Sequence, residues 1–289
     1  RPSQILAVTF TNKAAREMRD RLSAMVACDL RHLWMGTFHG TAHRILRAHA
    51  QEANLPPTFQ IIDTADQLSL IRRIMKEAGI DPKLRDPKTV QWSINSYKEQ
   101  GLRAAAVAAR EEDETRVTLY QTYEARCQRE GLVDFAELML RCVELLEGNQ
   151  LVREHYNDRF KYVLVDEFQD TDSLQFRLIK ALCPPKQPNA CVFCVGDDDQ
   201  SIYAFRGAKV GNMSDFVKEY KVEKIIKLEQ NYRSTSHILD GANAVIANNK
   251  DRMGKNLWTD AGAGEPIRLY RADADMQEAR AVVQDILVE

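Results

Sequence analysis

Four short apolar runs constrain the fold of this chain more than any other feature of its sequence. They occupy residues 5–10, 161–165, 191–195 and 224–228, and each is followed by polar residues and a helix-like segment. Apolar strands that alternate with helices are typical of a parallel sheet with both faces covered. The sequence therefore predicts an α/β fold built around a buried parallel sheet.

The stretch from residue 40 to about 157 has a different pattern, because its apolar residues recur every three or four positions. Leu68, Ile71 and Met75 are one such series, and Leu138 and Cys142 begin another. This period predicts helices. An all-helical block between the first strand and the later strands is interpreted as an insertion. We therefore predict one α/β domain from residues 1–38 and 158–229, an inserted helical subdomain at 39–157, and the start of a second α/β domain at 230–289.

Composition excludes several classes of protein. With 44% hydrophobic and 28% charged residues, the 289-residue chain has the balance of a globular protein. No apolar run approaches the roughly 20 residues that a membrane-spanning helix needs. The net charge is −2, yet residues 1–60 carry eight Lys and Arg against four Asp and Glu, a local excess that suits a nucleic-acid surface. Six scattered cysteines favour a reducing, cytoplasmic location.

Acidic and amide side chains follow two of the predicted strands. Asp166 and Glu167 come directly after one buried run, and Gln200 follows the next. Open α/β sheets bind ligands at the carboxyl ends of their strands. There, one carboxylate can hold Mg²⁺, the next can deprotonate an attacking water, and an amide can donate to a terminal phosphate. The alternative, equally weighted for the acids alone, is a solvated turn whose carboxylates favour a helix start.

Aromatic and basic residues accompany these strand ends. Tyr203 and Phe205 offer flat faces for stacked bases, and Arg206 could meet a phosphate, although isolated aromatics are more often core residues. Tyr232 and Arg233 precede another predicted helix. An arginine supplied from a second domain is a common device for stabilising charge on a transferring γ-phosphoryl group, but a surface arginine before a helix is also common.

Several motifs in one order resemble those of UvrD-like superfamily-one helicases. They are TFTNKAA at residues 9–15, GTFH at 36–39, LVDFAEL at 132–138, DEFQDT at 166–171, GDDDQSIYAFRG at 196–207, QNYRST at 230–235 and GKNLWTD at 254–260. The resemblance covers essentially the whole chain. It implies a RecA-like P-loop NTPase fold, in which two α/β domains clamp ATP and a helical subdomain interrupts the first.

The same resemblance implies a role for each motif residue. Asp166 would hold Mg²⁺ and Glu167 would activate water, while Gln200 and Arg233 would sense the γ-phosphate of ATP and Tyr232 would pack on the adenine. The remaining motif residues would lie along single-stranded DNA; these are Phe10, Thr11, Asn12, Thr37, Phe38, His39, Tyr203, Phe205 and Arg206. At the junction of Thr11 and Asn12, the free N–H groups of a helix start could also receive a DNA phosphate.

Two departures from the family pattern stand out. Phe205 occupies a position where the family commonly has Trp, which reduces the stacking surface. The 289 residues also contain no G-x-x-x-x-G-K-[ST] loop, whose backbone amides and lysine cradle the phosphates of ATP. In the family this loop precedes the TFTNKAA motif. We therefore expect this piece of the protein, tested by itself, to hydrolyse ATP negligibly.

The function implied is an ATP-dependent helicase that unwinds duplex DNA with 3′ to 5′ polarity in repair or replication. Its expected partners are single-stranded DNA, duplex DNA and repair proteins, with no membrane partner. Two alternatives stay open: the helicase subunit of a recombination helicase–nuclease, and a non-catalytic DNA-binding module with an inactive ATP site. Two possible metal motifs are set aside: His39 with His43, and Cys191 with Cys194, whose thiols are predicted to be buried and inert.

Overall fold

The computed structural model describes residues 1–27, 29–188, 190–203, 207–209, 211–250 and 252–288. Its chain forms two compact units, Arg1–Val222 and Glu223–Glu289. None of the helices in these described ranges combines the length and apolar character that crossing a bilayer requires.

The first unit is built on a four-stranded parallel sheet, as the apolar runs predict. In chain order the six described strands are β1 (Ile5–Thr9), β2 (Trp34–Thr37), β3 (Gln60–Ile61), β4 (Leu132–Val133), β5 (Tyr162–Val165) and β6 (Cys191–Cys194). The main sheet has the order β2-β1-β5-β6, with β1 in its interior. Leu6 and Val8 on one face of β1 and Ala7 on the other are almost completely buried, because helices cover both faces of this strand. The predicted α/β fold is therefore confirmed.

Helices account for most of the remaining described chain. They are α1 (Asn12–Met25), α2 (Phe38–Ala48), α3 (Thr64–Glu77), α4 (Pro87–Glu99), α5 (Ala104–Ala108), α6 (Glu114–Glu130), α7 (Phe135–Gly148), α8 (Gln150–Arg159), α9 (Ser173–Leu182), α10 (Gly211–Glu219), α11 (Ser236–Ile246) and α12 (Asp275–Val288). Threonines cap the first two helices: the Ala14 amide donates to Thr11 Oγ1, and the Gly40 amide donates to Thr37 Oγ1. Both helices therefore begin directly at the carboxyl ends of β1 and β2.

The helical insertion has a hydrophobic core of its own. Its buried apolar residues come from α3 to α6 and lie between Ile62 and Cys127. The short parallel pair β3–β4 joins the chain entering this bundle to the chain leaving it. Residues of α2, α7 and α8 belong instead to the core that packs on the main sheet. The domain limits given by the sequence stay a prediction.

A charged cluster is buried beside the core of the insertion. Lys98 of α4 is only 1% exposed, and its Nζ lies 2.6 Å from Asp134 Oδ2 and 3.0 Å from Glu137 Oε2. Asp134 also accepts hydrogen bonds from Tyr123 Oη and from the backbone amide of Glu137. Burial lowers the pKa of Lys98, but Glu137 and Asp134 outweigh it and raise that pKa above its ordinary value. Lys98 therefore stays charged at neutral pH, and its contacts tie α4, α6 and α7 together.

Two expectations about strands were wrong. Residues 224–228 form no strand, and Ile225, Ile226 and Leu228 are exposed. A strand needs a hydrogen-bonded neighbour, and the second unit offers only the isolated bridge between Gln230 and Trp258 in its described part. Cys191 is exposed rather than buried, because β6 lies at the edge of the sheet.

Candidate nucleotide and DNA site

Asp166 lies where β5 ends, at the carboxyl edge of the main sheet. Its backbone amide donates to Val8 O at 2.9 Å, which continues the pairing with β1 for one more residue. The Thr9 hydroxyl at the end of β1 donates to Asp166 Oδ2 at 3.2 Å. Two neighbouring strand ends therefore hold this carboxylate at the place where open α/β sheets bind ligands.

Glu167 follows in a backbone conformation that few side chains adopt. Its φ is 50° and its ψ is 46°, in the left-handed region, at a cost of about 1–3 kcal/mol for a residue other than glycine. Gln169 fixes the direction of the Glu167 side chain, because Gln169 Nε2 donates to Glu167 Oε2 at 2.7 Å. The hydrogen bond therefore orients this carboxylate at the end of the strand.

Gln169 also connects the ends of β5 and β6. Its Oε1 accepts a hydrogen bond from the Asp197 amide at 2.9 Å, and the side chain is almost fully buried. Gly196 makes this contact possible: a Cβ at that position would lie 2.8 Å from Gln169 Oε1 and 3.2 Å from its backbone nitrogen. Any side chain at residue 196 would therefore push apart the two strand ends that carry Glu167 and Asp197.

Gln200 lies in the short helical turn that follows β6. Its Nε2 donates to Asp197 Oδ2 at 2.6 Å, so the amide is already engaged. Gln200 can donate its second N–H to a phosphate, or it can exchange Asp197 for the phosphate. Two hydrogen bonds connect Asp197 to Glu167: the Asp197 amide donates to Gln169 Oε1, and Gln169 Nε2 donates to Glu167 Oε2. Such an exchange at Asp197 would therefore alter the contacts of Glu167.

Aromatic residues at the same edge come together in pairs. The rings of Phe10 and Tyr203 lie 5.3 Å apart between centroids and are tilted by 32°. His39 meets Phe135 edge-on at 6.2 Å, and the Phe135 ring is half exposed. Burial lowers the pKa of His39, so its imidazole is neutral at pH 7 and offers stacking or hydrogen bonds rather than charge. These pairs form an aromatic surface beside the helix starts at Asn12 and Phe38.

Three predicted DNA contacts need separate comment. Phe38 is 3% exposed and packs in the sheet core, so the prediction that its ring lies along DNA is wrong. As the first residue of α2, it shares the inner helix face with Ala42 and Ile45. Phe205 and Arg206 lie outside the described residues.

In the second unit, one turn presents Tyr232 and Arg233 to solvent. Asn231 Oδ1 accepts the backbone amides of Arg233 at 2.9 Å and Ser234 at 2.7 Å, which fixes the turn before α11. Tyr232 is 86% exposed, and its hydroxyl donates to Gln230 Oε1 at 2.8 Å. The side chains of Tyr232 and Arg233 are thus exposed on this unit, where a ligand can reach them.

Comparison with known proteins identifies the family of this chain. The model of the UvrD/REP helicase N-terminal domain matches residues 1–221. The chain belongs to the UvrD-like helicase family. The model of the UvrD-like helicase C-terminal domain matches residues 226–288. The α/β architecture, with its parallel sheet and many helices, is that of a UvrD-like helicase.

Curated relatives match over nearly the whole chain. It is 49% identical over 287 residues to DNA helicase II of Escherichia coli, covering 99% of this chain and 39% of that protein. It is 41% identical over 288 residues to the ATP-dependent DNA helicase PcrA of Bacillus subtilis, with the same shares covered. The chain therefore spans about two fifths of the length of these relatives.

The oxygen atoms at the end of β5 fit a magnesium ion in this member of the UvrD-like helicase family. Mg²⁺ prefers carboxylate, hydroxyl and water oxygens and usually takes only one or two protein carboxylates. Asp166 supplies a carboxylate, and the Thr9 hydroxyl orients it. A bound Mg²⁺ would neutralise charge on nucleotide phosphates, and Gln169 holds Glu167 separately from Asp166.

Sequence reasoning missed two residues of this site. Gln169 lies within the DEFQDT motif, but nothing in its position along the chain predicts that it bridges two strand ends. Phe135 lies in the LVDFAEL motif at residues 132–138, which the resemblance included without assigning it a role. Asp134 before it is a typical N-cap residue, so the sequence could have placed this ring at the start of a helix.

Proposed function

We propose that the protein containing this chain is an ATP-dependent DNA helicase, which moves 3′ to 5′ along single-stranded DNA and separates duplex DNA in repair or replication. The observation that carries the proposal is at the end of β1. There Thr9 donates to the candidate magnesium carboxylate Asp166, and the next residue, Phe10, pairs with the Tyr203 ring. The end of β1 thus contacts both the candidate nucleotide site, through Thr9, and the aromatic surface, through Phe10.

In this proposal, each residue has a definite part in the cycle. Asp166 holds Mg²⁺, and Glu167 accepts a proton from the attacking water, oriented by Gln169. Gln200 leaves Asp197 to donate to the γ-phosphate and returns when that phosphate departs. Arg233 stabilises charge on the transferring phosphoryl group, and Tyr232 packs on the adenine. Thr11, Asn12, Thr37 and His39 meet the DNA backbone, with Phe205 and Arg206 continuing that track.

The proposed domains follow the motifs. Residues 1–38 and 158–229 form the first RecA-like motor domain, 39–157 its helical insertion, and 230–289 the start of the second motor domain. The chain contains no phosphate-cradling glycine-lysine loop, so we expect these 289 residues alone to be inactive as an ATPase. We place the protein in the cytoplasm, where reduced cysteines and chromosomal DNA in a bacterium would be found, and we include repair proteins among its partners.

A strand-displacement assay with the complete protein tests this function. Duplexes with a 3′ single-stranded tail should be unwound when ATP and Mg²⁺ are present, and those with a 5′ tail should not. Equal unwinding of both would refute the polarity. A protein with no unwinding on either, but with tight DNA binding that ignores nucleotide, would instead be the non-catalytic module. Unwinding accompanied by DNA cleavage would favour a helicase–nuclease.

The aromatic pair predicts a specific loss of DNA affinity. Replacing Phe10 or Tyr203 by Ala removes one face on which a base can stack, worth roughly 1–3 kcal/mol per base, or about 5- to 150-fold in Kd. Fluorescence anisotropy with a labelled oligothymidylate measures this. Trp92→Ala removes an exposed ring of the helical insertion and should leave the Kd unchanged. If all three variants bind alike, the pair is not a stacking surface.

A further inference from the structure

Two arginines share one indole ring at the amino end of β2. The Cζ atom of Arg44, on α2, lies 4.0 Å from the Trp34 ring centroid, and the Cζ atom of Arg159, at the end of α8, lies 5.0 Å from it. Within the described residues, neither guanidinium forms an ion pair with a carboxylate or donates a hydrogen bond. Such a pair is unusual, because clustered arginines are normally neutralised by acidic side chains.

The local electrostatics favour an anion here. Partial burial is the main reason that the pKa of Arg44 lies below its ordinary value, and the positive charge of Arg159 lowers it further. The two like charges therefore destabilise each other, and a negative group between them would remove the repulsion. Arg44 is exposed, so a ligand can reach it from solvent.

Hydrogen-bond donors without acceptors mark the same place. Trp34 Nε1 and Arg159 Nε are both buried, and neither finds an acceptor in the described chain, although Trp34 is only 5% exposed. Most buried donors in proteins have a partner. The unmatched indole N–H of Trp34 and the two unpaired guanidiniums, one of which contains the unmatched Arg159 Nε, form a site that lacks acceptor oxygens. Phosphate oxygens are the acceptors that paired guanidiniums fit best.

The position of the site relative to the candidate DNA surface identifies its occupant. β2 runs from Trp34 to Thr37, about 10 Å at 3.3 Å per residue, and α2 then turns back along the sheet so that Arg44 covers Trp34. One end of this β2–α2 unit carries Thr37 and His39, and the other carries the arginine pair. A strand that leaves the aromatic surface along this unit would bring its phosphates to Arg44 and Arg159.

We propose that Arg44 and Arg159, supported by Trp34, bind backbone phosphates of single-stranded DNA beyond the Phe10–Tyr203 surface. This rests on the proposed function as a DNA helicase. The site contacts phosphate rather than bases, so it adds affinity without sequence preference. It lengthens the DNA footprint of the first unit along β2 and α2.

The test measures the salt dependence of oligothymidylate binding by the 289-residue chain, over a series of oligonucleotide lengths. Each neutralised phosphate of a single strand contributes about 0.7 to the slope of log K against log salt. For long oligonucleotides, Arg44→Gln with Arg159→Gln should reduce the slope by about 1.4. Short oligonucleotides, which occupy only the aromatic surface, should bind the double variant and the unchanged chain alike, which also verifies folding.

A matched control removes the same charge elsewhere. Arg129→Gln, on α6, deletes an exposed guanidinium and should not alter the slope at any length. The proposal is overturned if Arg129→Gln changes the slope as much as the double variant does. It is also overturned if the double variant does not change the slope. If the double variant shows no slope change, but Phe10→Ala loses oligothymidylate affinity equally at every length, the proposed function still stands. Absence of binding at every length by the unchanged chain would overturn the phosphate site in this chain, while strand displacement by the complete protein would still test the proposed function separately.

Inorganic phosphate distinguishes a DNA site from a site for the free ion. Trp92→Phe with Trp258→Phe leaves Trp34 as the only tryptophan of the chain, because the sequence contains three. The Trp34 emission should change when a long oligonucleotide binds, but not with a short one. Saturation of that change by inorganic phosphate alone, with no response to the long oligonucleotide, would show a free-phosphate site and overturn the DNA assignment.

Discussion

Replacing Glu167 by Gln in the complete protein is expected to lower the kcat of DNA-stimulated ATP hydrolysis by about 10²- to 10⁴-fold, the usual contribution of a positioned general base. The amide cannot accept the proton of the attacking water. It keeps the size of the carboxylate and can still face Gln169, so the left-handed turn at residue 167 should be retained. The measurement is steady-state phosphate release with saturating single-stranded DNA.

The effect on kcat should be separable from effects on binding. The Kd for ATP and the Kd for an oligonucleotide should stay within a few-fold of those of the unchanged protein, because Asp166 and the aromatic surface are untouched. Glu112→Gln neutralises an exposed carboxylate of the helical insertion and serves as the matched control. A Glu167→Gln protein with full turnover would show that another group activates the water and would remove Glu167 from the mechanism.

Most of the sheet could be predicted from the sequence because three of its strands are continuous apolar runs. β1, β5 and β6 were found from their runs alone, although only β1 is buried on both faces and one face of β5 is exposed. The edge strand β2 was missed, since residues 34–37 include Gly36 and have no such run. Residues 224–228 have the right side chains for a strand, but strand formation depends on a neighbour that local sequence does not specify.

The candidate site was predictable only as far as position along the chain determines position in space. The ends of parallel strands meet at one edge, so Asp166, Glu167 and Gln200 could be grouped in advance. The hydrogen bond from Gln169 to Glu167 depends on side-chain rotamers, and Trp34 and Arg159 are 125 positions apart. Phe38 shows the opposite error, because a motif does not state which face of a helix each residue occupies.

The largest stability effect is expected at Lys98. The variant Lys98→Met removes the buried cation that contacts Asp134 Oδ2 and Glu137 Oε2. The methionine side chain fills a similar volume, so little cavity is left. Removing one partner of a buried ion pair costs about 3–5 kcal/mol, because the remaining charge is left uncompensated in the interior. Glu137 keeps Arg103 and Arg141 as partners, so most of the loss should arise at Asp134. Hydrogen exchange of the α4 amides measures the local free energy of opening.

Two further variants separate charge burial from simple loss of a side chain. Lys88→Met makes the same substitution at an exposed position of α4 and should change the opening free energy by less than about 0.5 kcal/mol. Adding Asp134→Asn to Lys98→Met removes the stranded charge but keeps an oxygen that can cap α7, so it should restore part of the loss. If Lys98→Met costs no more than Lys88→Met, or if the second substitution only deepens the loss, the cluster does not stabilise the insertion through its charges.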